Sequence, residues 1–198
     1  DHTNQIQWDA LIRENEANID TVAGIGGDKD AQVIGANSNY VLIESRNDHK
    51  WTGAISTLNY KLNETTELTF GLDYRWYRGY HYRVLKDLLG GDYWIDRERY
   101  NLKPDNNLLN PNNAAVEGDV IGYNYTSTIA YGGVFTQAEK RFENFKVFGT
   151  ATYSHTGFYR NGKFLHADFP DNSEKEGSLG LSEVQHFNNY TVKGGINY

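Results

Sequence analysis

Histidine is the side chain best suited to proton transfer or metal ligation near neutral pH. This chain has six: His2, His49, His81, His155, His166 and His186. No two stand at i, i+2 or i, i+4, the spacings that put two imidazoles on one face of a strand or helix, so no local metal pattern exists. Each reads as a surface or interior polar residue, and only a meeting of His155, His166 and His186 in three dimensions would make a site. The run Asp168-Phe169-Pro170-Asp171-Asn172-Ser173-Glu174 offers oxygens to calcium. It lacks the Asp-x-Asp-x-Asp-Gly spacing and reads as a solvated loop. There is no Gly-x-Ser-x-Gly elbow. The absence of cysteine removes thiolate nucleophiles, zinc thiolates and disulfides together. A glycosidase carboxylate pair is set by geometry and not by motif, and no pair stands out. The expectation is a non-enzyme, with no catalytic residues, metal or cofactor.

Binding chemistry concentrates in Asp92-Tyr93-Trp94-Ile95-Asp96-Arg97-Glu98-Arg99-Tyr100. Tyr93, Trp94 and Tyr100 could stack on a sugar ring or a peptide, and Arg97 and Arg99 could hold an anion through paired hydrogen bonds. These five are the candidate ligand-binding residues. The same side chains could instead pack loop against loop, with both arginines paired to neighbouring carboxylates. Gly90-Gly91, Gly132-Gly133 and Gly194-Gly195 do not follow the strand, turn, helix order of a phosphate cradle. Inside strands they mark bulges or close packing, for which a plug in a barrel lumen is one source. Asn63-Glu64-Thr65, Asn124-Tyr125-Thr126 and Asn189-Tyr190-Thr191 match the glycosylation acceptor pattern, but two of the three fall in predicted strands and read as chance.

These residues must be carried by some scaffold, and composition narrows it. Of 198 residues 38% are hydrophobic but 14% aromatic, with 15 Tyr, 9 Phe and 4 Trp, which suits a sheet with one apolar and one wet face. The net charge of −7 and the lack of a basic tract argue against nucleic acid. No stretch nears 18 apolar residues, so no membrane-spanning helix is expected, whereas a barrel strand alternates and passes that test. The chain contains no Met, and the expectation is a processed or excised piece of a longer protein, with any signal peptide removed or upstream.

Residues 1–49 read as a loop-rich segment with a short helix at Trp8 to Glu16 and an edge strand at Tyr40 to Glu44. Residues 50–198 read as five antiparallel strands: Trp51 to Leu62, Glu67 to about Tyr82, Ile121 to Arg141, Phe145 to Tyr159, and Val184 to Tyr198. In the second, Leu68, Phe70, Leu72, Tyr74 and Trp76 share one face against Thr69, Gly71, Asp73 and Arg75. The five apolar residues are the candidate lipid-facing set. In the third strand Tyr123, Tyr125, Ile129, Tyr131 and Phe135 oppose Asn124, Thr126, Thr128 and Thr136.

Connections alternate in length: short turns at Asn63 and Glu143, long loops over 83–120 and 160–183. Long structureless connections are uncommon in compact soluble domains. Outer-membrane barrels have short periplasmic turns and long extracellular loops. The fold class expected is therefore all-β, with antiparallel up-and-down strands from a transmembrane β-barrel, present in part. The strands exceed the roughly 9 to 11 residues of a tilted span, so their upper ends would form an extended rim, with Trp76-Tyr77-Arg78-Gly79-Tyr80 at the outer interface.

Leu88-Leu89-Gly90-Gly91-Asp92-Tyr93-Trp94, Glu117-Gly118-Asp119 before Gly122-Tyr123-Asn124-Tyr125, Phe169-Pro170-Asp171-Asn172-Ser173, and Tyr190-Thr191-Val192-Lys193-Gly194-Gly195 form an ordered set. In this order they resemble the barrel of TonB-dependent receptors of the Bacteroidetes type, whose larger relatives include the SusC-like nutrient importers. The resemblance covers about Asn39 to Tyr198. It implies a 22-stranded barrel with a plugged lumen in the bacterial outer membrane, importing a glycan, a peptide or a chelated metal. The partners it implies are outer-membrane lipid, the remainder of the barrel and its plug, the TonB complex through regions outside this chain, and a surface lipoprotein. The competing expectation is a soluble glycan-binding or adhesive β-sandwich, whose apolar faces would meet about 10 Å apart.

Overall fold

Period-two alternation over long stretches leaves the backbone one way to satisfy its N–H and C=O groups, which is to pair with neighbouring strands. The computed structural model describes residues 5–23, 32–96, 114–164 and 179–198, and it is mostly antiparallel β with one short helix. In chain order the elements are α1 (Trp8–Ala17), β1 (Ile19–Ala23), β2 (Gln32–Ala36), β3 (Leu42–Asn63), β4 (Thr66–Asp87), β5 (Trp94–Ile95), β6 (Ala114–Ala115), β7 (Val120–Arg141), β8 (Lys146–Gly162), β9 (Gly180–Leu181) and β10 (Gln185–Asn197). The long strands lie in the order β10-β8-β7-β4-β3, with β9 paired to β8, and β1-β2 and β5-β6 form two small sheets. The order is a path with two ends, an open sheet among the described residues.

The five expected long strands are present with different bounds: β4 runs on to Asp87 and β8 to Gly162 through residues expected as loop, the expected loops also hold β5, β6 and β9, and the loop-rich N-terminal segment holds β1 and β2. The edge strand at Tyr40 to Glu44 and the strand from Trp51 belong to a single element, β3. The intervening Arg46-Asn47-Asp48-His49-Lys50 has no apolar alternation, so periodicity does not reveal it. Cross-strand polar bonds hold it instead: His81 Nδ1 lies 2.7 Å from Asn47 Oδ1, and the Tyr82 hydroxyl donates to Asp48 at 2.9 Å.

The chain forms two compact units. One comprises 1–48, 80–126 and 161–181; the other comprises 49–79, 127–160 and 182–198. In the first, Leu85, Leu88, Ala115 and Ile121 make a buried cluster, with Val41 and Trp94 packed against it. The Asn15 side chain ties this unit together. Its amide donates to the carbonyls of Tyr40, Leu88 and Leu89, and its oxygen accepts from the N–H groups of Asn39 and Tyr40. Asn15 is fully buried, which is tolerable only because its polar atoms are satisfied. At the turn that Asn15 grips, Leu89 and Gly90 both have positive φ, 49° and 86°. The Asp87 carboxylate accepts from Leu89 N–H at 2.7 Å and stabilises that conformation.

In the second unit the strands use glycine in a way the sequence does not announce. The Phe135 ring on β7 occupies the space where a Gly71 side chain on β4 would stand, and the Phe148 ring on β8 does the same over Gly195 on β10. The strand glycines thus seat rings from neighbouring strands, a cross-strand pairing that pins register. A side chain at position 71 must displace the ring, an overpacking that costs about 1–3 kcal/mol. Gly71→Ala and Phe135→Ala should each destabilise the chain. The double variant should lose less than the sum, with a coupling of about 0.5–3 kcal/mol in denaturant unfolding of detergent-solubilised protein. Additivity would mean that the two residues do not meet.

Candidate functional site

In the second unit, side-chain contacts assign each strand residue to a face. Thr69 on β4 bonds Asn59 on β3 at 2.9 Å, and the Arg75 guanidinium lies 5.7 Å from the centre of the Tyr131 ring on β7. Thr150 on β8 bonds Gln137 on β7, and Lys146 pairs with Glu139 at 3.0 Å. These contacts collect Asn59, Thr69, Gly71, Asp73, Arg75, Tyr131, Phe135, Gln137, Glu139, Lys146 and Thr150 on one face. The β7 aromatics Tyr131 and Phe135 therefore lie on the polar face of β4, opposite to Leu72.

The other face follows by alternation. β3 contributes Leu58, Tyr60 and Leu62; β4 contributes Leu68, Phe70, Leu72, Tyr74 and Trp76; β7 contributes Ala130, Gly132, Val134 and Ala138. Register carries it on: Val147, Gly149, Ala151 and Tyr153 of β8 stand opposite Ile196, Gly194, Val192 and Tyr190 of β10. This face is largely apolar across the five strands, interrupted by Ser56 on β3 and Thr136 on β7, and it is bare. Leu72 is 60% exposed, Val134 48% and Val192 84%. Of the candidate lipid-facing residues, Phe70, Leu72 and Tyr74 are exposed, and Leu68 and Trp76 are half-buried against their neighbours. Among the described residues no second layer covers them. A soluble protein rarely exposes an apolar patch larger than a few hundred Å².

The belt has two edges. At one, the Arg78 guanidinium caps the Trp76 ring at 5.0 Å, and the Tyr159 hydroxyl is hydrogen-bonded with Thr128 and Arg78. His155, His186 and Asn188 stand at the same edge on β8 and β10. At the other edge, beside the tight turn of Phe142 to Phe145, the two phenyl rings lie 4.6 Å apart and Lys140 approaches the Phe142 ring at 5.4 Å. From Leu68 to Trp76 the belt spans about nine residues. The eight steps between them, at about 3.3 Å each, make about 26 Å along the strand.

The candidate ligand-binding residues have another placement. Tyr93 is fully buried, and its backbone bonds Ala36 and Ser38. Trp94 is half-buried, pairs with Ala115 and packs on the Leu85 cluster. Both rings are thus used in loop-on-loop packing. Arg97, Arg99 and Tyr100 lie outside the described residues, as does the acidic run 168–174. Asp92, exposed in sequence terms, accepts from Ala36 N–H at 2.8 Å, and Asp96, fully buried, accepts from Gly122 N–H. Of the three histidines that distance could unite, His155 and His186 meet, while His166 lies outside the described residues. The faces of β8 (Val147, Gly149, Ala151, Tyr153) and β10 (Tyr190, Val192, Ile196) are readable by alternation in the sequence, whereas the β7 part of the belt was hidden because Ala130 and Gly132 carry a weaker apolar signal than Tyr131 and Phe135 on the other face.

Compared with protein-family models, curated proteins and solved structures, the chain finds no match. Its class is accordingly that of an open antiparallel sheet with one bare apolar belt, joined to a loop-built unit with a small core.

Burial first, then the negative charges of Asp20 and Asp92, raise the Tyr93 hydroxyl above the ordinary tyrosine range. The unfolded chain then loses this proton first, near about pH 10. The stabilising contribution is complete below that pH and is lost as pH rises through the folded value. The hydroxyl has no hydrogen-bond partner among the described residues. Tyr93→Phe should therefore cost less than the about 0.5–1.5 kcal/mol of a typical hydrogen bond at neutral pH. It should also flatten the alkaline fall in unfolding midpoint; an unchanged fall would show that Tyr93 does not titrate this way.

Proposed function

We propose that this chain is part of the wall of an outer-membrane β-barrel, with its belt against lipid and its polar face toward the lumen. The observation that carries this reading is the exposed, largely apolar face that continues across five adjacent strands. Lipid is the partner that such a face suits, because an antiparallel strand presents apolar and polar residues alternately and a bilayer needs only one of them. The tight turns at Glu64-Thr65 and Glu143-Asn144 adjoin each other, with Arg141 N–H donating to the Thr65 carbonyl at 2.8 Å, and short turns of this kind suit the periplasmic end of a barrel. Five long strands are fewer than the about eight of the smallest single-chain barrels, and open edges are not tolerated in lipid. The edges of β3 and β10 therefore pair with further strands, the remainder of the barrel. The resemblance to TonB-dependent receptors supplies the activity: import of a nutrient ligand, driven through the TonB complex by parts of the receptor outside this chain, without enzymatic chemistry.

The absence of native cysteine makes single nitroxide labels clean. In lipid vesicles, labels at Leu72→Cys, Val134→Cys and Val192→Cys should be quenched by oxygen, which partitions into the bilayer. Labels at Asp73→Cys and Thr150→Cys should be quenched by a water-soluble nickel chelate. Equal aqueous access at all five sites, in protein that stays folded and monomeric without detergent, would favour the soluble sandwich and remove the barrel. On the same logic, Leu72→Arg should destabilise the lipid-folded chain by about 2–4 kcal/mol, and Thr150→Arg by less than about 1 kcal/mol, in urea titrations.

A further inference from the structure

His155 and His186 stand diagonally across β8 and β10, since His155 is directly opposite Asn188 and His186 is directly opposite Gly157. The His186 imidazole leans toward His155 past Gly157, where even an added Cβ would stand 3.8 Å from His186 Nδ1, an ordinary contact. The lean brings His186 Nδ1 to 3.1 Å from His155 Nε2. Two nitrogens bound at 2.0–2.1 Å to one ion, at octahedral or tetrahedral angles, stand about 2.9–3.4 Å apart. The observed separation is already that of a chelate.

The third residue sets the protonation. Asn188 Oδ1 accepts from the Tyr153 hydroxyl at 2.9 Å and lies 2.9 Å from His155 Nδ1. An amide oxygen only accepts, so His155 Nδ1 carries its hydrogen and Nε2 presents a lone pair toward His186. Orientation of a ligating imidazole by a hydrogen bond on its far nitrogen is the usual support of a metal site. In the pair as it stands, His186 Nδ1–H donates to the His155 Nε2 lone pair, and to join an ion His186 would hold its proton on Nε2 instead, which frees the Nδ1 lone pair. The other described histidines are arranged differently: His49 is 2.7 Å from the Tyr77 hydroxyl and His81 is 2.7 Å from the Asn47 oxygen. Among the described residues, only His155 and His186 bring two imidazoles within hydrogen-bond distance.

We propose that His155 and His186 form a bidentate site for a divalent transition-metal cation at the edge of the apolar belt, with Asn188 as the positioning residue. No group of three or more His, Cys, Asp or Glu could hold a metal among the described residues. Among the described residues the remaining coordination positions thus fall to water or to an incoming ligand. Imidazole suits copper, nickel and zinc, and Cu2+ binds most tightly in the first-row order. The site does not depend on whether the belt faces lipid.

The test is Cu2+ titration of the full chain in detergent, carrying His2→Ala and His166→Ala so that histidines outside the described residues do not contribute. The expected result is one ion per chain, with an electron paramagnetic resonance spectrum showing coupling to two imidazole nitrogens. His155→Gln and His186→Gln should each remove one nitrogen from that spectrum and weaken binding at least about tenfold. Asn188→Ala should keep two nitrogens and weaken binding about 10–100-fold. Circular dichroism establishes that each variant retains its strands. Absence of a two-nitrogen spectrum in the folded parent would overturn the site, as would its persistence in either histidine variant.

Discussion

Residues directly opposite in an antiparallel ladder must point to the same side of the sheet, and everything in the second unit depends on this constraint. A strand that slipped by one residue would exchange its two faces. The pairing of Tyr190 with Tyr153, Val192 with Ala151 and Ile196 with Val147 keeps the belt continuous across β8 and β10. The rings of Phe135 over Gly71 and of Phe148 over Gly195 secure the phase from the polar side, where each ring fits only a position without a Cβ. Glycine, ring and ladder together decide which residues face outward.

The first unit solves a different problem. Its connections carry backbone groups that regular pairing does not reach, and burial makes each unsatisfied group costly. Side-chain amides and carboxylates stand in for strands. Asn15 serves the backbone of residues 39, 40, 88 and 89, Asp92 serves Ala36, Asp96 serves Gly122, and Asp119 serves Val116 at 2.9 Å. The apolar core is correspondingly small, with Leu85, Leu88, Ala115 and Ile121 at its centre. Polar side chains that sequence inspection would place in a ligand site or on a surface are here structural.

The two units differ in what they leave exposed: one bares an apolar belt of a kind that soluble proteins rarely expose, and the other is held by buried polar bonds. Aromatic and basic groups such as Trp76 and Arg78 stand at the edge of the belt, an arrangement that supports the proposed contact with a membrane. That is the physical basis of the barrel reading, and it stands apart from the family resemblance, which alone supplies transport.

The sequence by itself determined the all-β class, the extents of β4, β7, β8 and β10 to within a few residues, the helix at Trp8, and the candidate outward set from Leu68 to Trp76. It could do so because a period of two is a local property, readable without knowing any neighbour. Tertiary structure decided the rest. Whether Tyr131 and Phe135 share a face with Leu72 or with Arg75 depends on the phase between two strands far apart in sequence. Local alternation does not encode that phase, and Gly71 settles it. The polar stretch of β3 needed partners on β4 to become a strand. Tyr93 and Trp94, open to ligand as sequence, became core when Ala36 and Ala115 closed over them. The meeting of His155 with His186 has no spacing signature, because it rests on a diagonal across two strands far apart in sequence.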